Sequence, residues 1–191
     1  MKTLLTLLIY STLTGLALAG PAQPWVVPVV GKSAAVIDGA VSANEYPATF
    51  TDPKTSVTVW WQADSANLYV ALKSPGQGWL AIGLGADGMN GAAMVIAFQD
   101  GQGQWTVEEQ LGKSLYRHSR AEPQKLISGK TAQADGHTVM EFSLPRRLSN
   151  GQSIAEGQPL PFLLAYHKDK PGLSKHSKKS SGTLVLKANA K

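Results

Sequence analysis

Short runs of alternating apolar and polar residues recur through this 191-residue chain and leave few folds open to it. Alternation with a period of two places apolar side chains on one face of an extended strand, as for Leu68, Val70 and Leu72. Gly, Asp and Pro turns separate the runs, which are TSVTVWWQ (55–62), NLYVALK (67–73), GWLAIGLG (78–85), AAMVIAFQ (92–99), QWTVEEQL (104–111), HTVMEFSL (137–144), PFLLAY (161–166) and GTLVLK (182–187). Only PRRLS (145–149) suggests even one helical turn. The pattern predicts an all-β fold, an antiparallel β-sandwich of immunoglobulin-like architecture.

The N-terminus has the order of a secretory signal peptide. Lys2 precedes an apolar run from Leu4 to Leu18, and the small residues Ala17 and Ala19 precede Gly20. A membrane anchor is the alternative, but polar or flexible residues break the apolar stretch, namely Ser11, Thr12, Thr14 and Gly15. We predict a signal peptide at residues 1–19 and export to the periplasm or the extracellular space. No later segment is apolar enough to span a bilayer.

The remaining chain has the length of one domain and contains no cysteine. Disulfides, thiolate metal sites, iron–sulfur clusters and covalently attached haem are therefore excluded. We expect a linker or an irregular strand at residues 20–35, one β-sandwich domain at 36–187 and a tail at 188–191. We also expect the protein to be a monomer.

The positive charge is concentrated near the C-terminus. The formal net charge is +5, and residues 168–191 hold seven lysines against one acid. Nucleic-acid binding is not expected, because no arginine or aromatic side chain accompanies these lysines. The Lys-rich loop, residues 168–179, is either a solvated surface or a docking site for an acidic partner.

Motifs typical of enzymes are absent or stand in the wrong context. Gly83, Gly85 and Gly88 spell GxGxxG, but a β-branched run follows them where dinucleotide binding needs a helix. The four histidines form neither HxxxH nor HExxH, and there is no GxSxG. Glu108 and Glu109 are adjacent and would lie on opposite faces of a strand. We therefore predict no catalytic residues and no enzymatic activity.

Three segments together resemble the DOMON domain family, which includes the b-type cytochrome module of cellobiose dehydrogenases. They are VIDGAVSANEYP (36–47), GWLAIGLGADGMNGAAMVIAF (78–98) and FLLAYHKDKPGLSKHSKKSSGTLVL (162–186). The second segment is the most specific, and the resemblance covers roughly residues 36–187. It implies the family's β-sandwich. The larger relatives carry an attached dehydrogenase or a transmembrane cytochrome segment, and we expect neither for this protein.

The resemblance also implies a site for haem b. In haem-binding members of the family, a Met after the second segment's strand and a His near the last strand ligate the iron, and these positions fall on Met89 and His176. Met94, His167, Lys175 and Lys178 remain alternative ligands. The expected walls of the haem slot are Trp79, Met94 and Tyr166, and the lysines around His176 or Arg117 would neutralise the propionates.

Two axial side chains leave no open position on the iron, which favours one-electron transfer over oxygen or substrate chemistry. The Lys-rich loop would then dock an acidic redox protein. Other DOMON members lack the ligand pair, so the alternative is a haem-free module that binds a carbohydrate or another small ligand in the same cleft. Exposed tryptophans would stack on the sugar, with Trp25, Trp60, Trp61, Trp79 and Trp105 as candidates. An interaction protein without a ligand is a third possibility.

Overall fold

A computed structural model describes residues 23–188. The predicted signal peptide at 1–19 lies outside these residues, as do residues 189–191. Within the described range the secondary structure consists of strands, turns and bends with no helix, which confirms the all-β prediction. No helix that could cross a membrane occurs in this part of the chain.

Twelve strands form one mixed sheet. They are β1 Trp25–Val29, β2 Ala48–Thr51, β3 Thr58–Ala63, β4 Asn67–Lys73, β5 Leu80–Leu84, β6 Ala93–Gln99, β7 Trp105–Gly112, β8 His118–Arg120, β9 Ser128–Ala134, β10 His137–Pro145, β11 Pro159–Tyr166 and β12 Lys178–Ala188. The strand order is β8-β7-β6-β5-β11-β12-β1-β3-β4-β10-β9, and β2 pairs with β3 beside this path.

Almost all neighbouring strands are antiparallel, and both parallel pairings involve β1. Val27 pairs with Leu186 of β12, and Val29 pairs with Ala63 of β3. The segment predicted as a linker or an irregular strand at 20–35 therefore contains the strand that joins the two halves of the sheet. The predicted helical turn at 145–149 is replaced by the end of β10 and a bend.

The sheet curls so that its two halves face each other across the main core. Trp61, Val70 and Phe142 from one half pack with Ile82 and Phe162 from the other, and all five are at most 1% exposed. The two edges approach each other where Gly129 of β9 lies against Val107 of β7. This closure is the sandwich that the period-two pattern predicts, made by one curled sheet.

Two central strands are buried on both faces. Every residue of β5 and the first five residues of β6 are buried, including those that point away from the main core. A strand with one solvated face would show buried and exposed residues in alternation. The outer face of β5 and β6 is therefore covered as well, and the candidate site lies there.

Candidate functional site

A second apolar cluster, which we call the outer cluster, lies on the outer face of β5, β6 and β11. Its buried members are Trp79, Ala81, Ala92, Met94 and Ile96, and its half-buried members are Ala86, Met89, Phe98, Leu163 and Ala165. The main core lies on the other side of the same three strands, where Ile82, Val95 and Leu164 point inward. The sheet thus separates a large core from a small apolar site.

Small residues form the middle of the outer cluster. Ala165 pairs with Ala81, and the neighbouring row pairs Leu163 with Gly83 and Gly83 with Met94. A Cβ placed on Gly83 would lie 3.3 Å from Met94 Cγ and 3.4 Å from Leu163 Cδ1. The Met94 and Leu163 side chains pack over Gly83, so the middle of the outer cluster is apolar and closely packed.

The Met89 loop, residues 85–92, covers one end of this surface. The Met89 carbonyl accepts a hydrogen bond from Ala92 N at 3.1 Å, and Gly91 N donates to Gly112 O at 3.0 Å. A Cβ on Gly112 would overlap the Met89 carbonyl oxygen, so β7 carries glycine where the loop approaches its backbone. The loop is positioned by backbone contacts that leave the Met89 side chain against the outer cluster.

Asn150 holds both ends of the Met89 loop. Its Nδ2 donates to Leu84 O at 3.0 Å and to Gly91 O at 2.9 Å. One side-chain amide thereby bonds the carbonyl of the last residue of β5 and a carbonyl near the end of the loop. The bend after β10 is thus the support of the Met89 loop.

The Lys-rich loop covers the other end of the surface. Lys168 O accepts hydrogen bonds from Gln77 N at 2.8 Å and Gly78 N at 3.2 Å, and Trp79 N donates to Lys170 O at 3.0 Å. The Trp79 indole Nε1 also donates to Ser174 Oγ at 3.3 Å. A buried tryptophan of the outer cluster therefore fixes the loop that carries His176.

His176 is half-buried within this loop. Burial lowers the pKa of its imidazole below the usual value, and the positive charges of Lys179 and Lys175 lower it further. Each of these effects disfavours the imidazolium form. A neutral imidazole has a lone pair available for coordination.

The two loops approach the outer cluster from opposite ends of β5. Leu80, at the start of β5, pairs with Tyr166, from which the Lys-rich loop departs, and Leu84, at the end of β5, leads into the Met89 loop. The four residue steps between them span about 13 Å. The loops that carry Met89 and His176 thus lie at opposite ends of one apolar cluster.

Comparison with known proteins identifies the family. The model of the DOMON domain family matches residues 53–167, which is more than half of the chain. The chain belongs to the DOMON domain family. No curated protein sequence matches it.

Solved structures with the same fold as this DOMON domain include cytochromes and sugar-binding modules. The cytochrome b domain of pyranose dehydrogenase from Coprinopsis cinerea is similar with a TM-score of 0.54 and 15% identity, over 71% of this chain and 80% of that one. The cytochrome domain of Myriococcum thermophilum cellobiose dehydrogenase has a TM-score of 0.52 and 15% identity, over 75% and 90%. A family 9 carbohydrate binding module from Caldicellulosiruptor kristjanssonii, in complex with cellotriose, has a TM-score of 0.50 and 14% identity, over 88% and 95%. At these identities the likeness shows the fold alone.

The DOMON domain brings together most of the site residues predicted from its sequence. Trp79, Met89 and Met94 belong to the outer cluster, and His176 lies in the loop bonded to Trp79. Tyr166 is separated from them, because its side chain packs in the main core on the opposite face of β11.

The alternative ligands differ in how the fold uses them. His167 Nδ1 accepts hydrogen bonds from Asp169 N at 3.0 Å and Lys170 N at 2.8 Å, so one ring nitrogen already stabilises the turn. Met94 is 7% exposed near the start of β6. Lys175 and Lys178 are exposed at the protein surface.

Most tryptophans of the DOMON domain are not the exposed stacking surfaces that were expected from the sequence. Trp61 and Trp79 are 1% and 6% exposed, because one lies in the main core and the other beneath the Lys-rich loop. Trp25 packs against Phe50, with ring centroids 3.5 Å apart, and Trp105 packs against the core. Trp60 instead lines a cleft of about 490 Å³ on the other half of the sheet.

Sequence reasoning missed the residues that position the two loops. Gly112 and Asn150 are distant from Met89 in the chain, and Ser174 is an unremarkable serine among lysines. Gly78 had a usable signal, because it starts the GWLAIGLG segment and a Cβ there would overlap the His167 carbonyl. The others became visible only through tertiary contacts.

Proposed function

We propose that this DOMON domain binds haem b against the outer cluster, with Met89 and His176 as axial ligands, and takes part in one-electron transfer. The observation that carries the proposal is the buried apolar cluster flanked at opposite ends by a Met loop and a His loop. A thioether and an imidazole are the ligand pair of haem iron in c-type cytochromes, and here the loops that carry them lie at opposite ends of the cluster.

The residues present fit such a group. Ala81, Gly83 and Ala165 carry small side chains or none, so a macrocycle that displaced the Met94 and Leu163 side chains would meet an apolar sheet, and Met89 already contacts the cluster. When bound, the haem iron supplies the one-electron redox couple. Met89 and His176 would hold the group, and the sheet behind the outer cluster would give them a rigid frame that reorganises little when the charge changes.

The supporting residues have separate tasks. Gly112 and Asn150 hold the Met89 loop, while Trp79 holds the Lys-rich loop through Ser174. Because Trp79, Met94 and Ile96 are each less than 8% exposed, uptake of the macrocycle requires one of the two loops to move. Lysines of the Lys-rich loop are close enough in sequence to His176 to neutralise the propionates.

The test is the visible spectrum of the exported protein, compared across matched variants. We expect a Soret band and sharp α and β bands on reduction. Met89→Leu and His176→Gln should abolish the low-spin spectrum, whereas Met94→Leu and His167→Gln should keep it. Colourless protein that haemin does not reconstitute, or loss of axial ligation only in the Met94 or His167 variant, would refute the proposal.

We further propose that the domain acts in the periplasm or the extracellular space and docks an acidic redox protein on the Lys-rich loop. The predicted signal peptide supports the location. The exposure of Lys168, Lys170, Lys175 and Lys178 supports the docking surface. A complex held this way should weaken as ionic strength rises.

A second candidate function is carbohydrate binding. The family 9 carbohydrate binding module matches a larger share of this chain than either cytochrome domain. Trp60 would supply a stacking surface in its cleft, beside Lys73 and Val139. Isothermal titration calorimetry with glucose and with cellotriose, on the wild type and on Trp60→Ala, tests this function. Saturable binding that the variant loses would support it. The absence of a measurable heat of binding with both sugars would count against it.

A further inference from the structure

The hairpin between β7 and β8 ends in an exposed apolar pair. In this hairpin tip, residues 113–117, Leu115 is 69% exposed and Tyr116 is 89% exposed. The turn itself is well formed, because Lys113 N and Ser114 N both donate to Arg117 O, at 2.8 and 3.2 Å. Two adjacent large side chains therefore stand in solvent on an ordered turn, and both are more exposed than any other large hydrophobic residue of the described range.

Positive charges flank this pair. Lys113 and Arg117 are exposed on either side of it, and neither forms an ion pair within residues 23–188. Arg147 is exposed in the bend that supports the Met89 loop, and Asp87 is the acid of that loop. Backbone hydrogen bonds between Gly91 and Gly112 join the Met89 loop to the base of the hairpin. This end of the molecule is therefore apolar at its tip and positive around it.

We propose that the hairpin tip binds the surface of an anionic lipid bilayer. Leu115 and Tyr116 enter the boundary between headgroups and acyl chains, and Lys113 and Arg117 contact lipid phosphates. Tyrosine suits this depth, because its ring is apolar and its hydroxyl remains among the headgroups. An acidic protein partner would need a pocket shaped for a protruding tip, whereas a bilayer accepts it without one.

Such a contact is weak and reversible. Two apolar side chains and two or three cations give membrane affinity comparable with a single short lipid anchor, on the order of 10⁴ M⁻¹. The Lys-rich loop lies at the opposite end of β5 from the Met89 loop, so its lysines form a cationic surface separate from the hairpin tip.

Vesicle sedimentation tests the proposal independently of haem. The probe is the protein purified after export, with loss of residues 1–19 checked by mass spectrometry, and vesicles of phosphatidylcholine with about one-third phosphatidylglycerol. We expect binding to the anionic vesicles, a loss of about tenfold for the double variant Leu115→Ser, Tyr116→Ser, and a similar loss for Lys113→Gln, Arg117→Gln. Leu173→Ser is the matched control, because Leu173 is 42% exposed in the Lys-rich loop.

Far-UV circular dichroism and thermal melting establish that every variant is folded. Unchanged binding by the Leu115/Tyr116 variant would overturn the proposal, as would an equal loss for Leu173→Ser. Equal binding to pure phosphatidylcholine vesicles would overturn the requirement for anionic lipid. An acidic protein that binds the tip while vesicles do not would assign the surface to that class of partner and also overturn the proposal.

Discussion

Gly112 shows how a single backbone position sets the place of the Met89 loop. Its Cα lies against the Met89 carbonyl, and its N–H donates to Ala92 O at 3.0 Å. The residue has no side chain in the site. Its effect on Met89 is therefore purely positional.

We predict that Gly112→Ala displaces the Met89 loop and lowers the free energy of unfolding by about 1–3 kcal/mol, because the new methyl group overlaps the loop backbone. Urea unfolding of the haem-free protein measures the cost. Retention of haem should fall as well, although Met89 is unchanged.

Gly88→Ala is the matched control for this prediction. Gly88 lies in the same loop next to Met89, and a Cβ there would contact nothing within 4 Å. We expect its stability to stay within about 0.5 kcal/mol of the wild type. Equal destabilisation by the two variants would contradict a specific role for Gly112.

The faces of β11 show what alternation in a sequence leaves undetermined. Phe162, Leu164 and Tyr166 point to the main core, while Leu163 and Ala165 point to the outer cluster. Both sets are apolar, so period two separates the faces without saying which one is inside. Tyr166 was therefore predicted beside Trp79, although the sheet lies between them.

At the scale of elements, the segment before β2 is held against the sheet by a buried carboxylate. Glu141 of β10 is fully buried, and its Oε2 accepts hydrogen bonds from Asp38 N at 3.1 Å and Gly39 N at 2.8 Å. The Tyr46 hydroxyl donates to Glu141 Oε1 at 2.9 Å. These bonds account for the position of the VIDGAVSANEYP segment (36–47), which lies against the outer face of β10.

We predict that Tyr46→Phe destabilises the protein by about 1–3 kcal/mol, and more at neutral than at acidic pH. Burial raises the pKa of Glu141, and the bonds from Gly39, Tyr46 and Asp38 oppose that rise. A raised acid pKa gives stability that is present below the unfolded pKa and lost as pH rises through the folded pKa. Without the Tyr46 hydroxyl the pKa of Glu141 rises further, so the protein loses more stability between acidic and neutral pH.

Urea unfolding between about pH 4 and pH 7 measures this dependence. Tyr69→Phe serves as the control, because it removes a comparable bond of 2.8 Å to Asp64 at a half-buried site. We expect a smaller cost there. A difference between wild type and Tyr46→Phe that stays constant across this pH range would contradict the coupling to Glu141.

The local sequence pattern predicted where the strands lie better than which strands pair with each other. The alternating runs at 67–73 and 137–144 correspond to β4 and β10, because each strand is specified by its own residues. The parallel pairing of β1 with β12 depends on residues at opposite ends of the chain, and no local signal encodes it. Asn150 escaped prediction for the same reason, since its two acceptors are Leu84 and Gly91.

For the whole molecule, the uneven distribution of charge predicts selective reaction with anions. Residues 168–191 carry seven lysines and one acid, and the Lys-rich loop lies beside the proposed haem site. If haem binds as proposed, ferricyanide should therefore oxidise the reduced protein faster at low ionic strength than at high ionic strength. A cationic cobalt complex should show the opposite trend.

Stopped-flow measurement of both oxidants across ionic strength tests this prediction. Lys168→Gln combined with Lys170→Gln should reduce the salt dependence for ferricyanide. Identical salt dependence for the two oxidants would show that the lysines do not influence how fast a charged oxidant reaches the proposed site.

The parallel strand β1 has a consequence for how the fold is completed. During synthesis β1 appears among the first strands, yet its partner β12 is the last to appear. Until then both halves of the sheet keep open edges, which are prone to pair with other chains. A chain that lacks either β1 or β12 should therefore expose open strand edges and aggregate more readily than the intact domain.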